Sequence, residues 1–210
     1  MAKQTTDQLW AKQNRHPGDR ESLFSAAAEL VEGGRVLYPG SYVDIAASFV
    51  FSDVTYVDSD ARASRFFADR SGVEQIVSAN KRYDGPSRFA FIHADYTSDL
   101  KLAEGSFQLL VSLYAGFISR ACKRYLRIGG LLLANNSHGD ASMASIDPEF
   151  DLAAVVNRRG GTYRPSTRDL DEYLVPKNEQ QVTRELLERT NRGVGYTRSP
   201  AAYLLRRAPV

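Results

Sequence analysis

Residues 35–60, RVLYPGSYVDIAASFVFSDVTYVDSD, constrain the fold more than any other stretch of the chain. The apolar run Val36 to Tyr38 reads as a strand that enters a turn at Gly40. An Ala/Ile/Phe-rich helical patch follows, and a second apolar run, Val54 to Val57, stops at Asp58. Strand, glycine turn, helix, strand and acid, in that order, are the grammar of a nucleotide-binding βαβ unit. The glycine lets a ligand approach the backbone and the acid receives a pair of ribose hydroxyls. Gly40 and Asp58 are eighteen residues apart, close to the roughly 20 of such units. One glycine stands where a dinucleotide fingerprint carries three, so the turn by itself does not fix the ligand.

The flanking sequence continues the rhythm. Residues 3–15 suit a helix, broken by HPGD, after which Asp19 can cap a second one bearing Leu23, Phe24, Ala27, Leu30 and Val31 at helical spacing up to Gly33-Gly34. These helices could cap a site or pack on the sheet, and packing is the expected role. Beyond Asp58, residues 60–70 predict a helix buried through Ala63, Phe66 and Phe67, and residues 72–82 another. FAFIHAD is a third strand ending at Asp95, and Leu109 to Leu113 a fourth. A helix from Gly116 to Leu126, closed by Gly129-Gly130, leads to a fifth strand, LLLA. Continuous apolar strands alternating with helices imply a parallel sheet buried on both faces. Phe150 to Val156 and Ala201 to Arg207 then read as an antiparallel pair at one edge, with LDEYL and a helix from Gln181 to Thr190 between them. A single domain over residues 1–210 is expected, with N-terminal helices in 1–34, a ligand-binding core in 35–149 and edge strands with a helical insertion in 150–210.

Composition narrows the partners. With 43% apolar and 25% charged residues and a net charge of +2, the chain has ordinary globular values and too little charge to suggest nucleic acid or membrane as a partner. From Asp151 onward eleven Lys/Arg face seven Asp/Glu; a solvated surface is the expected reading, recognition of an acidic substrate the alternative. The single cysteine, Cys122, lies in an amphipathic run and is expected to be a buried thiol. The N-terminus lacks the apolar core of a signal peptide and no stretch is long enough to span a membrane, so a cytoplasmic, soluble protein is expected. His16, His93 and His138 are too scattered for a zinc pattern, and His93 is expected in the core.

A second constellation, Asn135-Asn136-Ser137-His138-Gly139-Asp140, follows the fifth strand. Ligands of open α/β sheets sit beyond the carboxyl ends of the strands, so this loop should face the same crevice as Gly40, Asp58, Asp95 and Ser112. His138 could serve as a general base with Asp140 orienting it. Equally, the two asparagines could satisfy loop backbone while Asp140 caps the helix ASMASI.

Taken together, the ordered pattern resembles the class I S-adenosylmethionine-dependent methyltransferases. VLYPGSYVD lies where that family has its glycine-rich motif, VTYVDSD where an acid binds the ribose of the cofactor, and FIHAD where an acid meets the adenine amine. FQLLVSLY and YLRIGGLLLANN resemble its fourth strand, following helix and fifth strand. The resemblance implies a Rossmann-like, doubly wound, mostly parallel α/β sheet of about seven strands with an antiparallel C-terminal hairpin. It implies S-adenosylmethionine as cofactor, met by Tyr38, Gly40, Ser41, Asp44, Asp58, Asp95 and Ser112, with Asp60 an alternative to Asp58. A small-molecule O or N acceptor would lie against Tyr114, Asn135 and Asn136, with His138 and Asp140 as the catalytic pair. The chain departs from the family where Tyr38 and Pro39 precede Gly40 and where Tyr42 and Asp44 replace later glycines. Tyr42 would fill space used by the methionine part of the cofactor, and Asp44 could compensate by binding its ammonium group. These departures keep two alternatives open: a scaffold that has lost the cofactor, and a non-methylating enzyme. LANN resembles the acid-Asn pair of metal-dependent O-methyltransferases, but Asn135 and Ser112 stand where carboxylates would be needed, so no metal is expected.

Overall fold

A computed structural model describes residues 4–178 and 182–209. Its frame is an eight-stranded sheet in the order β3-β2-β1-β4-β5-β8-β6-β7. The strands are β1 (Val36–Pro39), β2 (Asp53–Asp58), β3 (Arg88–His93), β4 (Phe107–Ser112), β5 (Leu126–Ala134), β6 (Phe150–Arg159), β7 (Thr162–Ser166) and β8 (Ala202–Arg207). β1 to β5 pair in parallel, and β8 runs antiparallel between β5 and β6. β1 sits in the middle with β2 on one side and β4 on the other, so the crevice at their carboxyl ends is the switch point of the sheet.

Alternation along each strand divides two cores. Val36, Tyr38, Val54, Tyr56, Leu109 and Val111 face one, Leu37, Val57, Leu110 and Leu132 the other. The first core is closed by α1 (Thr6–Gln13), α2 (Asp19–Ala28), α3 (Ala47–Val50), α4 (Ala61–Ala68) and α5 (Arg70–Asn80). α2 buries Leu23, Phe24, Ala26 and Ala27, so the N-terminal helices pack on the sheet. α4 is capped by Asp60, whose side chain accepts from the Arg62 N–H, and buries Ala63, Phe66 and Phe67. There Phe67 stacks on Phe91 of β3 at 4.4 Å. The second core is closed by α6 (Ile118–Cys122), a 3₁₀ turn (Lys123–Tyr125), α7 (Asp140–Ser145) and by Leu170, Tyr173, Leu174, Val194 and Tyr196 from the stretches before and after α8 (Arg184–Thr190).

Three expectations need correction. Gly129-Gly130 does not end a helix: the helix stops at Cys122, and β5 already begins at Leu126, with both glycines inside it. Between Leu126 and Leu131 the register against β4 slips, and a Cβ on Gly130 would lie 3.1 Å from the Gln108 carbonyl. The pair is therefore the bulge that lets β5 hug β4. β3 is not buried on both faces; it is the sheet edge, and His93 is exposed on it, its Nε2 3.1 Å from the Ser59 carbonyl. The sheet has an eighth strand, because Gly160-Gly161 turns β6 back into β7 and makes β7 the other edge. α8 begins at Arg184, capped by Thr183; the expected start at Gln181, like residue 3 of the first helix, lies outside the described residues.

Candidate functional site

The turn after β1 is built around a buried carboxylate. Gly40 takes a left-handed φ of +65°, and a Cβ there would lie 2.6 Å from the Ala115 Cβ, so the loop after β4 demands glycine here. Ser41 is buried, and Tyr42 keeps a left-handed φ of +50° despite its side chain. The chain then brings Asp44 under the sheet end, where its Oδ2 accepts from the Tyr38 hydroxyl at 3.0 Å and its Oδ1 from the Ala46 N–H at 3.2 Å. Arg20, from the first turn of α2, completes the group with Nε 3.0 Å from Asp44 Oδ2. Burial pushes the Asp44 carboxyl above its ordinary pKa, against the opposing pull of Arg20. Asp44 is thus not a vacant receptor for an ammonium group, because a guanidinium already occupies it. Tyr38 is likewise enclosed and directed at Asp44.

At the end of β2, Asp58 is half-buried. Its Oδ2 accepts from the Tyr42 N–H at 2.7 Å and its Oδ1 from the Asp60 N–H at 2.8 Å. Each oxygen keeps acceptor capacity, since an ionised carboxylate offers about four lone-pair positions. Asp60 is committed elsewhere, gripping Arg62 through the Arg62 Nη2 at 2.6 Å while capping α4. The half-buried Tyr42 packs against the first core, and its ring lies under the Arg62 guanidinium at 5.1 Å. Asp95, after β3, is exposed, and its Oδ1 holds the Thr97 N–H and hydroxyl, which lowers its pKa.

Across the crevice, Tyr114 follows β4 with a left-handed φ of +58°, and its exposed ring lies 4.8 Å from the Arg20 guanidinium. Its N–H points at Asn135 Oδ1 at 3.5 Å, and the same oxygen accepts from the Ser137 hydroxyl at 3.0 Å. Ser137 Oγ also lies 3.1 Å from His138 Nδ1. Asn135 Oδ1 can only accept, so Ser137 donates to it, and the His138 Nδ1–H must then donate to Ser137. That tautomer leaves Nε2 as an acceptor. A continuous string Asp44–Arg20–Tyr114–Asn135–Ser137–His138 therefore runs along the carboxyl ends of β1, β4 and β5.

Two expected members stand outside it. Asn136 uses its amide Nδ2 on the Val194 carbonyl at 3.0 Å and its Oδ1 on the Ser142 N–H at 3.1 Å and hydroxyl at 2.9 Å, so it fastens the 192–196 segment and keeps only one amide N–H uncommitted. Asp140 neither touches His138 nor caps α7, whose N-cap is Gly139. Its carboxylate accepts from the Ser119 N–H at 2.9 Å and from the Ser119 hydroxyl, anchoring the first turn of α6. Burial pushes its carboxyl up to about 6, opposed by Ser112 and Ser119, although the Ser112 hydroxyl meets no partner in hydrogen-bonding geometry. A carboxyl raised from 3.8 to about 6 holds its proton longer in the folded state than in the unfolded one. Its contribution is present below about pH 4 and lost as pH rises through 6, on the order of 2–3 kcal/mol. Denaturant titrations of wild type and Asp140→Asn at pH 4 and pH 7 should show this loss in wild type only. Parallel pH dependence in the two proteins would remove Asp140 as its source.

The sequence reading missed Arg20 and Ser137. Arg20 lies 24 residues before Asp44 on a helix with no motif of its own, and only the packing of α2 brings it in. Ser137 was legible as a neighbour of His138, but Asp140 drew the orienting role because a carboxylate is the commoner partner. Cys122 is buried as expected, its thiol pushed up to about 12 by burial. No helix among the described residues is long and apolar enough to cross a membrane, and no group of three or more His, Cys, Asp or Glu among them could hold a metal ion.

No family model matches the sequence, and no curated protein matches it. Solved structures do. A Methanococcus maripaludis protein assigned as an S-adenosyl-L-methionine-dependent methyltransferase superposes with a TM-score of 0.51 at 12% identity, covering 100% of this chain and 97% of that one. A methyltransferase from Geobacter sulfurreducens gives a TM-score of 0.48 at 14% identity over 76% of this chain and 86% of that one. A geranyl diphosphate methyltransferase in complex with S-adenosylmethionine gives 0.42 at 18% identity over 61% and 52%. The strand order, the antiparallel C-terminal strands and the full-length superposition together make this the class I methyltransferase fold, the fold of the S-adenosylmethionine-dependent methyltransferases.

Proposed function

We propose that this protein is an S-adenosylmethionine-dependent methyltransferase acting on a small-molecule O or N acceptor. The observation that carries the reading is Asp58, half-buried at the end of β2 and fixed by N–H groups from two different loops while keeping acceptor capacity toward the crevice. That arrangement suits a ribose diol. Arg20 suits the carboxylate of the methionine part: Nε is held by Asp44, and the rest of the guanidinium fork is available. Asp95 would serve the adenine amine with its second oxygen. Gly40, Ser41, Tyr38, Asp44 and Ser112 shape and brace the crevice. When bound, the cofactor supplies an electrophilic methyl group. The chain's part is to bind, to orient the acceptor with Tyr114 and Asn135, and to take the acceptor proton on His138 Nε2. Residues 1–34 belong to this single working unit, because Arg20 lies in them.

A second reading is a binding protein on the same fold that has given up the cofactor. It is favoured by the tight approach of Gly40 to Ala115, which leaves no room for a side chain at the turn where the cofactor would approach the backbone. Calorimetry with S-adenosylhomocysteine on wild type and Asp58→Ala tests the main reading. Hydrogen bonds to a charged group contribute about 1.5–3 kcal/mol, so the variant should bind about 10- to 150-fold more weakly. Equal affinity would remove Asp58 from the site.

A further inference from the structure

Four of the eleven Lys/Arg that follow Asp151 line a cleft of about 600 Å³ at the far edge of the sheet, formed by residues of β6, of β7 and of the segments around Tyr173 and Arg198. Arg158, Arg159, Arg164 and Arg198 line it, and no carboxylate does.

The hairpin register sets how these arginines are presented. Asn157 faces Arg164, Arg158 faces Tyr163, and Arg159 faces Thr162. Alternation therefore puts Asn157, Arg159 and Arg164 on one face, with Arg158 on the other. Arg158 is engaged there by Asp19, Nη2 to Oδ1 2.7 Å. Arg159 and Arg164 are diagonal neighbours, roughly 7–8 Å apart in such a pair. Both are exposed, and neither has an ion-pair partner among the described residues. The opposite wall is ordered. Arg198 lies over the Tyr173 ring at 4.6 Å and is held by Glu172, while the Tyr173 hydroxyl lies 3.2 Å from Asn157 Nδ2. An edge strand needs charge to discourage pairing with other chains, but that need does not call for a concave wall with a third arginine brought in from 34 residues further along the chain.

We propose that this cleft binds a small ligand carrying two or more phosphate groups, gripped by Arg159 and Arg164 on the hairpin and by Arg198 opposite. Arginine is suited to the task, because its planar fork matches phosphate oxygens two at a time and its charge is permanent. The site is independent of the crevice and stands or falls separately from methyl transfer.

The test is calorimetry with sodium tripolyphosphate at low and at physiological salt, on wild type, on Arg159→Gln/Arg164→Gln, and on Arg189→Gln as a control on α8. Both cleft positions are exposed, so the double variant should fold, which circular dichroism checks. The expected result is 1:1 binding by wild type and by the control, weakened at least tenfold in the double variant and falling with salt. Two results would overturn the proposal: tripolyphosphate binding equally well to the double variant, or not binding to wild type at millimolar concentration. A third would be a single-stranded oligonucleotide binding through the same arginines more tightly than tripolyphosphate, which would make the cleft a nucleic-acid surface.

Discussion

His138→Ala is expected to lower turnover by about 10²- to 10⁴-fold, the usual contribution of a positioned general base, while S-adenosylhomocysteine affinity stays near wild type. The reason is the tautomer fixed by its neighbours: Asn135 Oδ1 takes the Ser137 proton, Ser137 takes the His138 Nδ1–H, and Nε2 is left to accept. Ser137→Ala should reduce turnover in the same direction by less, since it removes the orienting partner and leaves the imidazole. Asp140→Asn should leave turnover nearly unchanged, because Asp140 serves α6. Turnover is read as S-adenosylhomocysteine release with any acceptor that supports it. Wild-type turnover in His138→Ala would exclude the base and leave acceptor positioning by Tyr114 and Asn135 as the mechanism.

Arg20→Ala should cost about 3–5 kcal/mol of folding stability, the usual penalty for leaving a buried charge without its partner. Asp44 is 2% exposed at its side chain and keeps only the Tyr38 hydroxyl and the Ala46 N–H once Arg20 is gone. Asp44→Asn in the same background should recover part of the loss, because an amide needs no counter-charge. Urea denaturation of the three proteins measures this. A single variant within 1 kcal/mol of wild type would mean that Asp44 is already neutral or solvated, and Arg20 would then lose its place as the fixed fork of the crevice.

β1, β2, β4 and the end of β5 were legible because they are short apolar runs between glycines and acids, and burial on two faces admits few other residues. Their order could be reached only through the resemblance. The antiparallel half was harder. β7 carries Thr162, Arg164 and Pro165 on an exposed edge, where packing no longer selects apolar side chains, so nothing in its pattern announces a strand. Gly129-Gly130 carried the wrong message for a physical reason, since glycine ends helices and also permits bulges, and only the approach of β4 decides between them. In the site, Asp58 and His138 stood out by their position after a strand. Asn136 and Asp140 shared that position, yet tertiary contacts with Val194, Ser142 and Ser119 claimed their side chains. The arginine that completes the crevice came from sequence far from any motif, which is usual when a charge is recruited by packing.

The most direct measurement is thermal denaturation of the wild-type protein with and without S-adenosylmethionine and S-adenosylhomocysteine. Ligand at 100 times its dissociation constant should stabilise the folded state by about 2.7 kcal/mol, and a domain of this size should show it as a rise of roughly 5–10 °C in Tm. Such a rise with both compounds, reduced in Asp58→Ala, is the predicted result. An unchanged Tm with both at millimolar concentration would contradict cofactor binding and leave the fold as a scaffold.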